Sequence, residues 1–89
     1  MKVRKHIYFS GRVQGVGFRY HAYRLANAYG LTGWVQNLYD DRVEMEVQGE
    51  ERRIRDMLRD LKGQRYIDFT DMVTAVIPLK SEIEFWIAN

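Results

Sequence analysis

Eighty-nine residues, 46% of them hydrophobic and 13% aromatic, supply one packed core but not two, so residues 1–89 are expected to form a single domain. Charged residues make up 29% of the chain and the net charge is +2, values that fit neither a disordered chain nor a dedicated nucleic-acid binder. Cysteine is absent, which removes disulfides, a thiol nucleophile and thiolate metal sites and fits a cytoplasmic setting; apolar runs fall far short of the ~20 residues that cross a bilayer, so no membrane span or signal peptide is expected.

Val3, Ile7 and Phe9 alternate with Arg4, His6, Tyr8 and Ser10, the period of a half-buried strand, with Lys5 intruding on its apolar side. Residues 10–18 hold Gly11, Gly15 and Gly17 and read as a loop. From Phe18 the spacing becomes that of one helical face, through Ala22, Leu25, Ala26 and Tyr29, with Gly30 placed to end the helix in a left-handed conformation. Residues 31–38 return to strand character and Tyr39-Asp40-Asp41 reads as a turn. Residues 42–48 then alternate Val43, Met45 and Val47 with Glu44, Glu46 and Gln48, a hairpin with one wet side, which Gly49 is expected to break. Ile54, Met57, Leu58 and Leu61 form the stripe of a second helix that ends near Gly63 and is charged on its other face. Residues 67–77 are the most ambiguous, β-branched and aromatic but with Asp68 and Asp71 inside; Pro78 bounds them, and Ile83, Phe85 and Ile87 make a last alternating strand. The order β-α-β-β-α-β, with room for a short extra strand, predicts an α+β ferredoxin-like sandwich: one antiparallel sheet with two helices on one face.

A glycine-rich loop that leads from a strand into a helix can converge backbone N–H groups on an anion, and the helix terminus adds positive potential. Arg19 stands at that entrance with a guanidinium able to form two parallel bonds to phosphate oxygens. The same spacing fits a plain glycine-rich connection beside a surface arginine, and on spacing alone that plainer reading is favoured, because short glycine motifs recur by accident. The loop lacks the Gly-Lys-Ser/Thr ending of a P-loop. His6 and His21 are too few for a metal set, and Ser10 has no His-Asp pair to make it a nucleophile, so neither a zinc site nor a catalytic serine is expected.

The segments Gly11-Arg12-Val13-Gln14-Gly15-Val16-Gly17-Phe18-Arg19 and Gly30-Leu31-Thr32-Gly33-Trp34-Val35-Gln36-Asn37 resemble the two signatures of the acylphosphatase family, G-x-V-Q-G-V-x-F-R and G-W-V-x-N. The likeness extends to Val43-Glu44, Gln48-Gly49 and Phe85-x-Ile87. It implies a ferredoxin-like enzyme that cleaves the carboxyl-phosphate bond of acyl phosphates to carboxylate and inorganic phosphate by water attack, without metal, organic cofactor or covalent intermediate. It further implies that Arg19 binds the phosphate and Asn37 orients the water, with the backbone of Val13, Gln14, Gly15, Val16, Gly17 and Phe18 completing the phosphate site. The implied partners are a small acyl phosphate and inorganic phosphate, with no nucleic acid or membrane, for a monomer in the cytoplasm. The chemistry suits so sparse a residue set. A carboxylate leaving group, whose conjugate acid has a pKa near ~4 to 5, departs without a general acid, so positioned donors and one oriented water suffice.

Some positions depart from the family pattern. Asp41 stands in the hairpin turn where glycine is common and φ above zero is favoured, residues 66–81 match only loosely, and Trp86-Ile87-Ala88-Asn89 offers no basic residue. The same element order underlies RNA-binding RRM domains, but Glu44 and Glu46 on the polar face of the third strand would repel a phosphate backbone. The other alternative is a catalytically idle sensor of carboxyl or carbamoyl phosphate that kept the cradle; intact Arg19 and Asn37 weigh against it.

Overall fold

Ile7 and Phe9 from the first strand, Val35 from the second and Val43, Met45 and Val47 from the third are all fully buried, as period-two alternation requires when one sheet face is covered. The cover is helical: Phe18, Ala22, Leu25 and Ala26 of the first helix and Ile54, Met57 and Leu61 of the second belong to the same 18-residue core cluster. The computed structural model describes residues 1–89, in the order β1 (Lys2–Arg12), α1 (Phe18–Ala28), β2 (Thr32–Asn37), β3 (Val43–Glu50), α2 (Glu51–Lys62), β4 (Asp68–Ile77) and β5 (Phe85–Ile87). The strands lie side by side as β4-β1-β3-β2-β5. Both helices pack on one face of this sheet, the α+β ferredoxin-like arrangement expected from the sequence. The sheet is not wholly antiparallel, because the short β5 runs parallel to β2 with Gly33 opposite Phe85 and Val35 opposite Ile87.

Local chemistry explains the boundaries that differ from the sequence reading. Ser10, Gly11 and Arg12 continue β1 against β4 through a register shift between Ser10 and Gly11, which shortens the expected loop to residues 13–17. Gly49 does not break β3: it pairs with Val3 and makes room for Leu31, whose Cδ2 would lie 2.4 Å from a Cβ at that position. Ile83 is 97% exposed and outside any strand, so the last strand begins only at Phe85. Gly33, in the second signature, lets β2 approach β3, since a Cβ there would sit 1.9 Å from the Glu46 carbonyl oxygen. Asp41 takes φ 70°, the left-handed turn conformation its position was expected to demand.

The larger difference concerns the face of the sheet turned away from the helices. Arg4 and Gln48, opposite each other on β1 and β3, are 0% and 2% exposed, so this side of the hairpin is not wet. The segment between β4 and β5 crosses it. Arg4 donates through Nε to Glu46 at 2.8 Å and through Nη1 to Gln48 at 3.3 Å and to Glu82, while Gln48 exchanges two 2.8 Å bonds with the main chain of Lys80. Only Nη2 of Arg4 is buried without an acceptor. Burial works against the charged guanidinium, but Glu82 and Glu46 more than offset it and hold its pKa above the ordinary value.

Candidate active site

β1 and α1 are joined by residues 13–17, and the sequence of this connection fixes its path at three points. Val13 and Phe18 are buried in the core at its two ends. Gly15 and Gly17 take φ of 73° and 79°, a conformation open to glycine at no steric cost. Gln14 turns away from the loop and donates its amide to the carbonyls of Leu38 and Arg42, at 2.8 and 2.9 Å, tying the loop to the β2–β3 hairpin. The glutamine of the first signature is thus a brace to the second signature's end.

Gly17 caps α1, with no side chain capping the free N–H groups and no acidic residue in the first turn. Such a terminus keeps its orphan donors and its positive potential for an external anion. Val13, Gly15, Gly17, Phe18, Arg19, Tyr20, Asn37, Ile87 and Asn89 line a cleft of about 330 Å³ in front of it. Arg19, from the first turn of α1, and Asn37, the last residue of β2, therefore meet there although one helix and one strand separate them in sequence. Of the proposed loop residues, Gln14 and Val16 do not line the cleft with the others; Val16 packs against the core.

The two expected side chains are left with complementary free groups. Arg19 donates Nη1 to the main-chain oxygen and the Oδ1 of Asn89, at 2.5 and 3.2 Å, so Nε and Nη2 retain no protein partner. No Asp or Glu side chain pairs with this guanidinium. Asn37 presents the opposite: its Oδ1 is buried with no hydrogen-bond donor. A buried acceptor left unmade costs about 1–3 kcal/mol, so a water or ligand proton is the natural partner. Sequence reading missed Asn89. Its side chain accepts from the Asn37 N–H at 3.0 Å and donates to the Asn37 carbonyl at 2.9 Å, and no spacing pattern could have signalled a contact across 52 residues.

The sheet order, the helices on one face and the glycine-lined cleft at the N-terminus of α1 define a ferredoxin-like domain with an open, cationic cleft. Residues 5–84 match the model of the acylphosphatase family. An acylphosphatase of Clostridium acetobutylicum is 48% identical over 69 residues, which cover 76% of each chain. The crystal structure of acylphosphatase from Bacillus subtilis superposes with a TM-score of 0.90 at 33% identity over 100% of both chains, and the structure of an acylphosphatase from Coxiella burnetii with 0.88 at 29% over 97% of this chain and 92% of that one. The chain belongs to the acylphosphatase family, and the activity that goes with this membership is hydrolysis of acyl phosphates. No helix is long and apolar enough to cross a membrane.

Proposed function

We propose that this chain hydrolyses acyl phosphates by direct attack of water on phosphorus, with Arg19 and the loop holding the phosphoryl group and Asn37 holding the water. The observation that carries this reading is the pairing of free groups in one cleft: a guanidinium edge, Nε and Nη2, without a protein partner, beside a buried amide oxygen without a donor. Nε and Nη2 of Arg19 form a planar fork for two phosphoryl oxygens. The main-chain N–H groups of residues 14–18, at the uncapped start of α1, take the remaining negative charge, which spreads over those oxygens in the transition state; the Val13 N–H, bonded to the Gly11 carbonyl at 3.0 Å, is not among them.

Asn37 Oδ1 accepts a hydrogen bond from one O–H of the attacking water and aims the water's lone pair at phosphorus; a neutral amide orients and does not abstract. The new P–O bond forms on the water side while the P–O bond to the acyl oxygen breaks in line, its electron pair leaving on the carboxylate. The water's second proton passes to a phosphate oxygen or to solvent. A carboxylate departs without protonation at neutral pH, so neither a general acid nor a divalent ion is required. A monomer acting in the cytoplasm is part of this proposal, the location in keeping with the lack of cysteine.

Purified protein incubated with benzoyl phosphate in EDTA is expected to release benzoate and inorganic phosphate, and in ¹⁸O-water the label is expected in the phosphate. Hydrolysis no faster than in buffer alone would overturn the reading; label in the benzoate would overturn attack at phosphorus.

A further inference from the structure

Four apolar side chains line the cleft, and they differ in what they leave open. Val13 and Phe18 are buried and offer no free surface, whereas Tyr20 and Ile87 are 60% and 40% exposed. Tyr20 lies two positions from Phe18 on α1, so its ring turns out of the core, and the His21 ring meets it edge-on at 5.6 Å between centroids. Ile87 pairs with Val35 in the parallel β5–β2 ladder and shares that residue's helix-covered face of the sheet. Val35 is closed over, but Ile87 opens to the cleft. On the far side of Asn37 lies a second hollow of about 420 Å³, lined also by Gln36, Leu38, Tyr39 and Asn89. The carbon part of an acyl phosphate therefore has two surfaces within reach, Tyr20 with Ile87 or Leu38 with Tyr39.

We propose that Tyr20 and Ile87 are the seat of the acyl group and make this chain selective for acyl phosphates with a ring or branched chain over acetyl phosphate. The choice between the two surfaces rests on the role given above to Asn37. Attacking and leaving oxygens stand in line on opposite sides of phosphorus. Water held by Asn37 takes the side of the second hollow, so the acyl oxygen points away from Leu38 and Tyr39. On the remaining walls Gly15 and Gly17 offer main chain to the phosphoryl oxygens, and only Tyr20 and Ile87 offer exposed carbon. A ring laid on that carbon removes apolar surface of both partners from water, which an acetyl group is too short to do. Arg19 is the only charged side chain in the lining, so an acyl group with a charge of its own finds no second partner there. Contacts to a remote part of the substrate favour the substrates that reach them and leave the binding of free phosphate unchanged.

The test compares kcat/KM for benzoyl and acetyl phosphate in Tyr20→Ser, Tyr20→Phe, Ile87→Ser and Tyr39→Ser, with inorganic phosphate as competitive inhibitor. Each ratio is taken against the wild type, so the intrinsic reactivity of the two substrates cancels. In Tyr20→Ser and in Ile87→Ser we expect the value for benzoyl phosphate to fall about 3- to 10-fold, less than a closed apolar pocket would lose because both residues stay partly open. Acetyl phosphate and inhibition by phosphate should change by less than about 2-fold. Tyr20→Phe should keep the wild-type ratio, and so should Tyr39→Ser. Urea unfolding shows whether Ile87→Ser, altered in a three-residue strand, is folded under assay conditions; Tyr20→Ser, at an exposed position, decides the case by itself if it is not. Equal losses for the two substrates in Tyr20→Ser, or no loss for either, would overturn the proposal while leaving Arg19 and Asn37 in their roles. A ratio that falls in Tyr39→Ser would seat the acyl group behind Asn37 and overturn it as well. A wild-type protein inactive on both substrates would instead overturn the function on which it rests.

Discussion

Two of the hydrogen-bonded arginines, Arg4 and Arg19, differ sharply in their surroundings. Arg4 is wholly buried between Glu46, Glu82 and Gln48, with two carboxylates against its one charge. Arg19 is half-buried, is hydrogen-bonded only to Asn89 with no Asp or Glu side chain against it, and lies at a helix N-terminus that adds positive potential to its own. A guanidinium neutralised inside the fold can contribute to stability but has nothing left for a ligand. One whose Nε and Nη2 are left without a protein partner contributes less to folding and keeps donors for an anion. The comparison separates structure from function more sharply than residue type or burial does, and substitution at the two sites should divide accordingly.

The largest effect is expected at Arg4. Arg4→Ala leaves Glu46 and Glu82, each with a side chain only 12% exposed, without their common partner. Breaking a buried pair from one side costs about 3–5 kcal/mol, a large part of the ~5–15 kcal/mol that holds a domain together. Urea unfolding should show that loss, while kcat of the fraction that remains folded should match the wild type. A variant with normal stability would mean that the segment over the open face can rearrange around the missing side chain.

Next in size, and reversed in kind, are changes at the cleft. Arg19→Lys keeps the charge but not the planar fork, and Asn37→Ala removes the unpartnered oxygen. Each is expected to lower kcat/KM by ~10²- to 10³-fold, as loss of one preorganised contact does, with an unfolding midpoint near that of the wild type. The two should differ in binding: Arg19→Lys weakens inhibition by inorganic phosphate, and Asn37→Ala leaves it nearly intact. Steady-state kinetics with phosphate as inhibitor measures both. Equal loss of phosphate binding in the two variants would move Asn37 from the water to the phosphate.

The contrast between the arginines also marks what could be read from the chain alone. The first half of the fold and the cleft were legible because their signals are local: alternation in β1 and β3, a 3.6-residue stripe in α1, and two dense signatures that bring Arg19 and Asn37 together. Arg4 appeared in the same alternation on the polar side of β1. Nothing nearby indicated that this side is covered, since its cover is a partner 78 residues away, in the stretch that matches the family least. Gly49 was misleading for the same reason, its vacant Cβ position being filled by Leu31 from another element. Asn89 carried no pattern, because its part depends wholly on where β5 ends against β2. Periodicity reports which face a residue takes; what covers that face is a tertiary fact.

A smaller effect follows from titration. Burial pushes Glu46 up, but Arg4 and Lys80 outweigh it and hold its pKa below the ordinary 4.5; burial likewise acts on Glu44, where His6 and Gln36 prevail. Groups with depressed folded values contribute stability that is present above pH 4.5 and is lost as pH falls through those values. The urea midpoint should therefore decline below pH 4.5 in the wild type and decline less in Glu46→Gln, whose amide does not titrate. Parallel declines in the two proteins would place the acid-sensitive group elsewhere.

The smallest effect joins the two arginines in one experiment. Inorganic phosphate that binds only the folded cleft stabilises by RT ln(1 + [L]/Kd), about 1.4 kcal/mol at ten times Kd. For a domain of this size that raises the unfolding temperature by roughly 5–10 °C. Arg19→Lys should lose most of this shift, although its own stability is near normal. Arg4→Ala should keep the same stabilisation in free-energy terms, although it starts from a much lower midpoint, because its cleft is intact once folded. The shift is thus independent of the stability on which it is superimposed. If phosphate instead stabilised Arg19→Lys as much as the wild type, the anion would be held elsewhere than on the guanidinium edge facing the cleft. A shift abolished in Arg4→Ala but kept in Arg19→Lys would reverse the assignment and make the buried network, not the open one, the part of the molecule that answers to phosphate.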